Sequence, residues 1–218
     1  MLLKILEEVK LYPDYSLFKS SPEIYLPESN IKRKLLLTST GFENPNIGRL
    51  FLNTIDMEPS KLRILFIDTA AITEEDKSIL SECYNELYNL GIINSNITTK
   101  SNLKCLTIKD CSINYDCIYV AGGDENYLLN HINNSGFRNV LLSLINQYNK
   151  YYVGVSAGSY ICGSLIPNNL NIIKNPLDVH CTENIANDGV VENNLNIPIY
   201  LSDRQALYIE NDQMKIIS

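Results

Sequence analysis

From about residue 34, short runs of almost unbroken apolar residues alternate with segments of helical periodicity. Leu35-Leu36-Leu37-Thr38-Ser39, Leu62-Arg63-Ile64-Leu65-Phe66-Ile67, Cys117-Ile118-Tyr119-Val120-Ala121 and Tyr151-Tyr152-Val153-Gly154-Val155 are too short for helices. They are also too uniformly apolar for strands with one wet face. Such runs suit a parallel sheet covered on both sides. Between them, Ile47, Leu50, Phe51 and Ile55 recur at helical spacing over Asn46 to Met57. Thr73 with Glu74, Glu75 and Asp76 opens a second helix, which passes through Ile79, Cys83 and Leu87 and stops at Gly91. A weaker strand is expected over Lys104 to Ile108. A helix from Glu125 to about Tyr148 is broken near Gly136, and a short helix covers Tyr160 to Leu165. The last third holds extended pieces (Pro176 to His180, Ile197 to Leu201, Ala206 to Ile209, Met214 to Ile217) expected to finish one sheet edge as antiparallel strands.

The pattern predicts an α/β domain over residues 34–218, a mainly parallel central sheet with helices on both faces and short antiparallel C-terminal strands. Residues 1–33 stand apart as an N-terminal arm. Leu2, Leu3, Leu6 and Val9 suggest a turn or two of helix, and the proline-bearing stretch Tyr12 to Pro27 reads as extended.

Charge and cysteine use narrow the partners. With 25 acidic against 18 basic side chains, the net charge of −7 repels phosphate backbones, so nucleic acid is not an expected partner. No apolar run approaches the roughly 20 residues that span a bilayer. Acidic Glu7 and Glu8 come too early for a secretory leader. Cys83, Cys105, Cys111, Cys117, Cys162 and Cys181 form no C-x-x-C pair and lie largely in apolar surroundings. Reduced thiols, a cytoplasmic setting and no metal or other cofactor are expected. A second copy of the chain is the one protein partner considered.

Chemistry concentrates at two glycine-rich turns, both at carboxyl ends of expected strands, where such sheets bind ligands. Gly154-Val155-Ser156-Ala157-Gly158 fits G-x-S-x-G between strand and helix. The sharp turn lifts the serine above the sheet, small neighbours relieve crowding, and the Ala157 N–H can donate to a developing oxyanion. Gly122-Gly123-Asp124 closes the preceding strand. The two glycines permit close backbone approach and offer a second oxyanion donor, while Asp124 either adjoins the substrate or caps the next helix. A phosphate loop fits poorly, since neither a Walker lysine nor a third glycine is in register.

A serine nucleophile needs a base, and the chain has two histidines. His131 falls inside a helix, about two turns from the strand ends. His180 follows Pro176-Leu177-Asp178-Val179, after the serine and at a strand end, and is preferred on reach. Asp178, Glu183 and Asp203 are each candidates to orient it. Asp178 points too nearly parallel along one strand, Glu183 lies on a loop, and Asp203 sits in Ser202-Asp203-Arg204-Gln205, where it could equally bond its own backbone. Cys162 and Cys181 are read as packing residues rather than nucleophiles.

Three motifs together resemble the aspartyl dipeptidase (peptidase E) family, which includes cyanophycinase-like proteins: Lys34-Leu35-Leu36-Leu37-Thr38-Ser39-Thr40-Gly41-Phe42, then Ile118-Tyr119-Val120-Ala121-Gly122-Gly123-Asp124 with Tyr127-Leu128-Leu129, and Gly154-Val155-Ser156-Ala157-Gly158-Ser159. The match covers roughly residues 34–165, and more loosely the remainder. The resemblance implies a class I glutamine-amidotransferase-like fold and a serine hydrolase that cleaves small peptides. It implies Ser156 as nucleophile, His180 as base and Asp203 as the acid, where better-known members carry Glu. Gly123, beside Gly122, and Ala157 would supply the oxyanion N–H groups. Departures accompany it. Gly122-Gly123-Asp124-Glu125 replaces Gly-Gly-Asn-Thr, and the Gly-Glu-Thr-Arg stretch that receives an acidic substrate group is replaced by Thr182-Glu183-Asn184-Ile185. With Asp124, Glu125 and Glu183 expected near the site, an N-terminal aspartyl substrate is disfavoured. The competing expectation is a binding protein that kept the fold and lost the chemistry.

Overall fold

In a computed structural model the described residues are 33–218, and their sheet has eight strands in the order β3-β2-β4-β5-β1-β9-β10-β7. The strands are β1 (Lys34–Thr38), β2 (Ile64–Ile67), β3 (Ile97–Lys100), β4 (Cys117–Val120), β5 (Tyr151–Val155), β6 (Leu177–Asp178), β7 (Val190–Val191), β8 (Ile199–Tyr200), β9 (Ala206–Glu210) and β10 (Gln213–Ile217). β3, β2, β4, β5 and β1 run parallel, whereas β9, β10 and β7 extend the β1 side antiparallel. The helices are α1 (Pro45–Ile55), α2 (Glu74–Asn89), α3 (Ile108–Asn114), α4 (Glu125–Asn134), α5 (Phe137–Asn146) and α6 (Ala157–Tyr160). The reading of residues 1–33 as an arm lies, but for Arg33, outside the described residues.

Strand alternation explains the unbroken apolar runs. Leu35, Leu37, Leu65, Ile67, Ile118, Val120 and Tyr152 point to one face, where they pack with Leu128 and Ile132 of α4 and Leu141 and Leu144 of α5. Leu36, Ile64, Phe66, Tyr119, Tyr151 and Val153 point to the other, against Ile47 and Phe51 of α1 and Cys83 and Leu87 of α2. Both faces are dry, so neither set of positions can be polar. Helix ends follow their sequence signals. Thr73 and Asp76 form a reciprocal capping box on α2, and Gly136, at φ 80°, separates α4 from α5.

Four expectations are corrected. The strand placed over Lys104 to Ile108 is a turn leading into α3. Thr107 caps that helix by accepting from Asp110 N–H, and the strand beside β2 is instead Ile97–Lys100, mostly polar because it lies at the sheet edge. The helix after Ser156 begins at Ala157 and lasts four residues rather than spanning Tyr160 to Leu165. At Gly163 the chain meets β6 so closely that a side chain would lie 2.6 Å from Leu177 Cβ. Of the C-terminal pieces, β9 and β10 finish the sheet as expected, but β6 and β8 pair parallel in a separate two-stranded sheet. β7, not anticipated, forms the outer edge. No helix among the described residues is long and apolar enough to cross a membrane.

Candidate active site

Ser156 follows β5 directly and precedes α6, in a turn with φ 50° and ψ −110°. A non-glycine residue in this region costs on the order of 1–3 kcal/mol, so the neighbours must hold it there. They do so through a dense set of bonds. Ser156 N–H donates to the Thr38 carbonyl at the end of β1 (3.0 Å), and Ser159 Oγ lies 2.8 Å from both the Thr38 and Gly154 carbonyls. Tyr152, buried beneath, donates its hydroxyl to the Gly158 carbonyl (2.7 Å). The motif's glycines are required by contact. A Cβ on Gly154 would lie 2.6 Å from the Gly158 oxygen, and one on Gly158 2.3 Å from the Val120 oxygen.

The β4 turn stands beside it. A side chain at Gly122 would begin 3.1 Å from Ser156 Cβ, and Gly123, at φ 130°, would drive a Cβ to 2.2 Å from the Ala70 oxygen. Among the described residues neither Gly123 N–H nor Ala157 N–H has an acceptor, so both are free to meet a ligand oxygen. Asp124 turns away. Its carboxylate accepts from Tyr127 N–H (2.7 Å) as the N-cap of α4, and it is not part of the cavity wall beside Ser156.

His180 Nε2 lies 2.8 Å from Ser156 Oγ, and its Nδ1 lies 2.6 Å from Asp203 Oδ1. Of the three acids left open by the sequence, only Asp203 reaches the imidazole. Asp178 accepts from Val179 N–H, and Glu183 lines a different surface groove with Asp188 and Arg204. The pair is open to water, with side-chain exposures of 48% for His180 and 59% for Asp203. His131 sits on α4, its ring against Tyr127, with no part in this cluster. Burial pushes the Cys162 thiol up to about 12, and the Cys181 thiol is raised for the same reason, so neither is a ready nucleophile.

Two residues that the sequence reading left as strand end and turn complete the arrangement. Ser39 Oγ accepts from His180 N–H (3.1 Å) and donates to the Leu201 carbonyl (3.2 Å), and Thr40 Oγ1 donates to the Asp203 carbonyl (2.5 Å). The run of small polar residues Thr38-Ser39-Thr40-Gly41 at a strand carboxyl end was the available clue.

A cavity of about 260 Å³ opens beside Ser156 and His180, walled by the two glycine turns, Ser39 and Thr40, and one face of α2. Its carboxylates are Glu43, Asp76, Glu82 and Glu86, not the Asp124, Glu125 and Glu183 expected to make the site acidic. Burial pushes the Glu86 carboxyl up to about 7, with Glu43 and Glu82 adding to the effect. The Phe42 N–H that it accepts pulls the other way.

The family model that matches this chain defines its class, a serine peptidase. The chain belongs to peptidase family S51, whose model matches residues 35–180. Among solved structures it is similar to a protein assigned as a peptidase E from Listeria monocytogenes EGD-e. The TM-score is 0.65 and the identity 20%, over 85% of this chain and 98% of that one. It is also similar to a peptidase from an acI-B1 Actinobacterium, with a TM-score of 0.54 and 14% identity over 86% and 88% of the two chains. At these identities the likeness is one of fold. No curated protein matches the sequence significantly.

Proposed function

We propose that this peptidase cleaves small peptides through a Ser156–His180–Asp203 triad. The observation that supports the reading is the continuous chain of short contacts from Ser156 Oγ through the imidazole to Asp203, built on a strained turn beside two unengaged backbone N–H groups. With the Nδ1 proton held toward Asp203, Nε2 is free to take the Ser156 proton as Oγ attacks the substrate carbonyl. The oxyanion of the tetrahedral intermediate accepts from Gly123 and Ala157 N–H. Each such donor typically contributes about 3 kcal/mol to lowering the barrier. His180 then returns the proton to the leaving amine, and a water activated by the same nitrogen hydrolyses the acyl-enzyme. The six free thiols support a reducing, cytoplasmic setting.

The test is labelling with a fluorophosphonate probe, read by intact mass and peptide mapping. One adduct on Ser156, lost in Ser156→Ala, is expected. A chain that stays unlabelled from mild acid to mild base would overturn the triad and favour a binding protein on the same fold.

A further inference from the structure

Asp203 has little of its own to fix it. Its side chain is 59% exposed, and among the described residues its carboxylate has one hydrogen-bond partner, the His180 ring. A short side chain on a surface turn goes where the main chain sends it. The aim of the carboxylate is therefore set by the backbone of Ser202-Asp203-Arg204-Gln205.

Every carbonyl through that turn, from Leu201 to Gln205, accepts from a protein donor. Leu201 accepts from Ser39 Oγ (3.2 Å) and Cys181 N–H (3.0 Å), and Ser202 from Gln205 N–H (3.0 Å). Asp203 accepts from Thr40 Oγ1 (2.5 Å), Arg204 from Asn44 Nδ2 (2.8 Å), and Gln205 from Ser39 N–H (3.4 Å). Asp203 and Arg204 are exposed residues whose carbonyls water could satisfy, yet the β1–α1 turn holds both. The hold on Arg204 comes from Asn44, a side chain only 7% exposed. Its Oδ1 accepts from Asn46 N–H (3.0 Å) and caps α1, while Nδ2 reaches across to the acid turn. A cap needs only the oxygen, which Asp or Ser supplies as well as Asn, so the nitrogen answers to something else. Gln205, 8% exposed, completes the frame. Its Oε1 accepts from Ser202 N–H (3.0 Å), and its Nε2 donates to the Asn187 carbonyl (2.9 Å) on the loop that follows His180.

We propose that Asn44 is a positioning residue of the triad: its side-chain amide grips the Arg204 carbonyl and so keeps the Asp203 carboxylate on the His180 ring. Asn44 is not part of the cavity wall beside Ser156, and it acts through the main chain one residue beyond the acid. The proposal rests on the peptidase reading and adds to it a residue that touches neither substrate nor the reacting atoms. The tautomer of an imidazole is set by the bond its other nitrogen makes, so an acid that drifts also releases the Nδ1 proton. Misplacing a catalytic group by about 1 Å can cost on the order of 100-fold in rate. Asn44 thereby links the start of α1 to the chemistry at Ser156.

The experiment has a kinetic arm and a spectroscopic arm. Asn44→Ser keeps the α1 cap but is too short to reach Arg204, and Asn44→Asp keeps cap and shape but turns an oxygen toward that carbonyl. The rate constant for fluorophosphonate labelling of Ser156 should fall roughly 10–100-fold in Asn44→Ser and further in Asn44→Asp. In the Asp203→Asn background the same serine substitution should change the rate less than about threefold, because the group it positions is gone. A loss of folded protein would instead lower both backgrounds by the same factor. In the second arm, nitrogen-15 NMR reads the two histidine rings, with His131→Gln to assign them. Neutral His180 should carry its proton on Nδ1 in wild type and become a mixture of tautomers in Asn44→Ser. Equal labelling of Asn44→Ser and wild type, an equal loss in both backgrounds, or an unchanged His180 tautomer overturns the proposal. A wild type that takes no label sinks the peptidase reading instead, and the tautomer then decides for or against the role of Asn44 by itself.

Discussion

Ser156 Oγ and His180 Nε2 meet at 2.8 Å, and each side chain is delivered by a backbone with positive φ, 50° at the serine and 57° at the histidine. Positive φ is uncommon for any residue but glycine, less so for histidine than for serine. The contact between them is therefore held by the surrounding bonds at a cost to local backbone stability.

That cost can be measured at Ser156. Both Ser156→Ala and Ser156→Gly should be inactive, but only glycine relieves the positive φ. Chemical denaturation should find the glycine variant more stable than the alanine variant by about 1 kcal/mol, the lower end of the usual strain. Equal stability would mean that the turn is unstrained.

Asp203→Asn should lower kcat by about 10⁴-fold, because an amide cannot stabilise the imidazolium and favours the wrong tautomer. Asp178→Asn and Glu183→Gln, whose carboxylates are engaged elsewhere or point to another groove, should stay within a few-fold of wild type. Steady-state rates with any turned-over dipeptide decide this, and a large loss in either control would reassign the acid.

Ser39→Ala removes a hydroxyl that both accepts from His180 N–H and donates to Leu201. Leaving two such groups unpaired typically costs about 1–3 kcal/mol. Because the hydroxyl fixes the histidine backbone and not the substrate, kcat should fall while KM changes little. Ser39→Thr, which restores the hydroxyl, should recover part of the loss. A change confined to KM would place Ser39 in substrate binding instead.

Glu86 links stability to pH. Burial raises its folded-state value to about 7, well above that of an exposed glutamate, so the folded protein holds a proton that the unfolded chain releases. Stability from this residue is fully present below the unfolded-state value and declines as pH climbs through about 7. Glu86→Gln should therefore melt higher than wild type at pH 8 and lose that advantage near pH 5. Melting curves across this range would expose the opposite trend if the carboxyl were ionised comfortably in the fold.

Much of this was legible in the chain. The apolar runs at β1, β2, β4 and β5 reveal a sheet buried on both faces, because an interior strand has no solvent side to mark with polar residues. Gly154 to Gly158 announce a tight turn because a Cβ at either glycine would collide with backbone. Local rules misplaced β3, whose Ile97-Thr98-Thr99-Lys100 has little apolar character because an edge strand keeps water on one side. They also missed the parallel pairing of β6 with β8, which depends on a neighbour more than twenty residues away in sequence.

Sequence alone pointed to the fold class, the tight turn at Ser156 and His180 in preference to His131, since each rests on short-range chemistry: periodicity, steric need for glycine, and position relative to a strand end. Only the tertiary structure brought Asp203, rather than Asp178 or Glu183, to the His180 ring, set Ser39 against the His180 backbone, and placed Glu43, Glu82 and Glu86 where other acids were expected. These choices depend on which loops and helix faces the folded sheet brings within a few ångströms, and contact distance between remote segments is not encoded in any local pattern of residues.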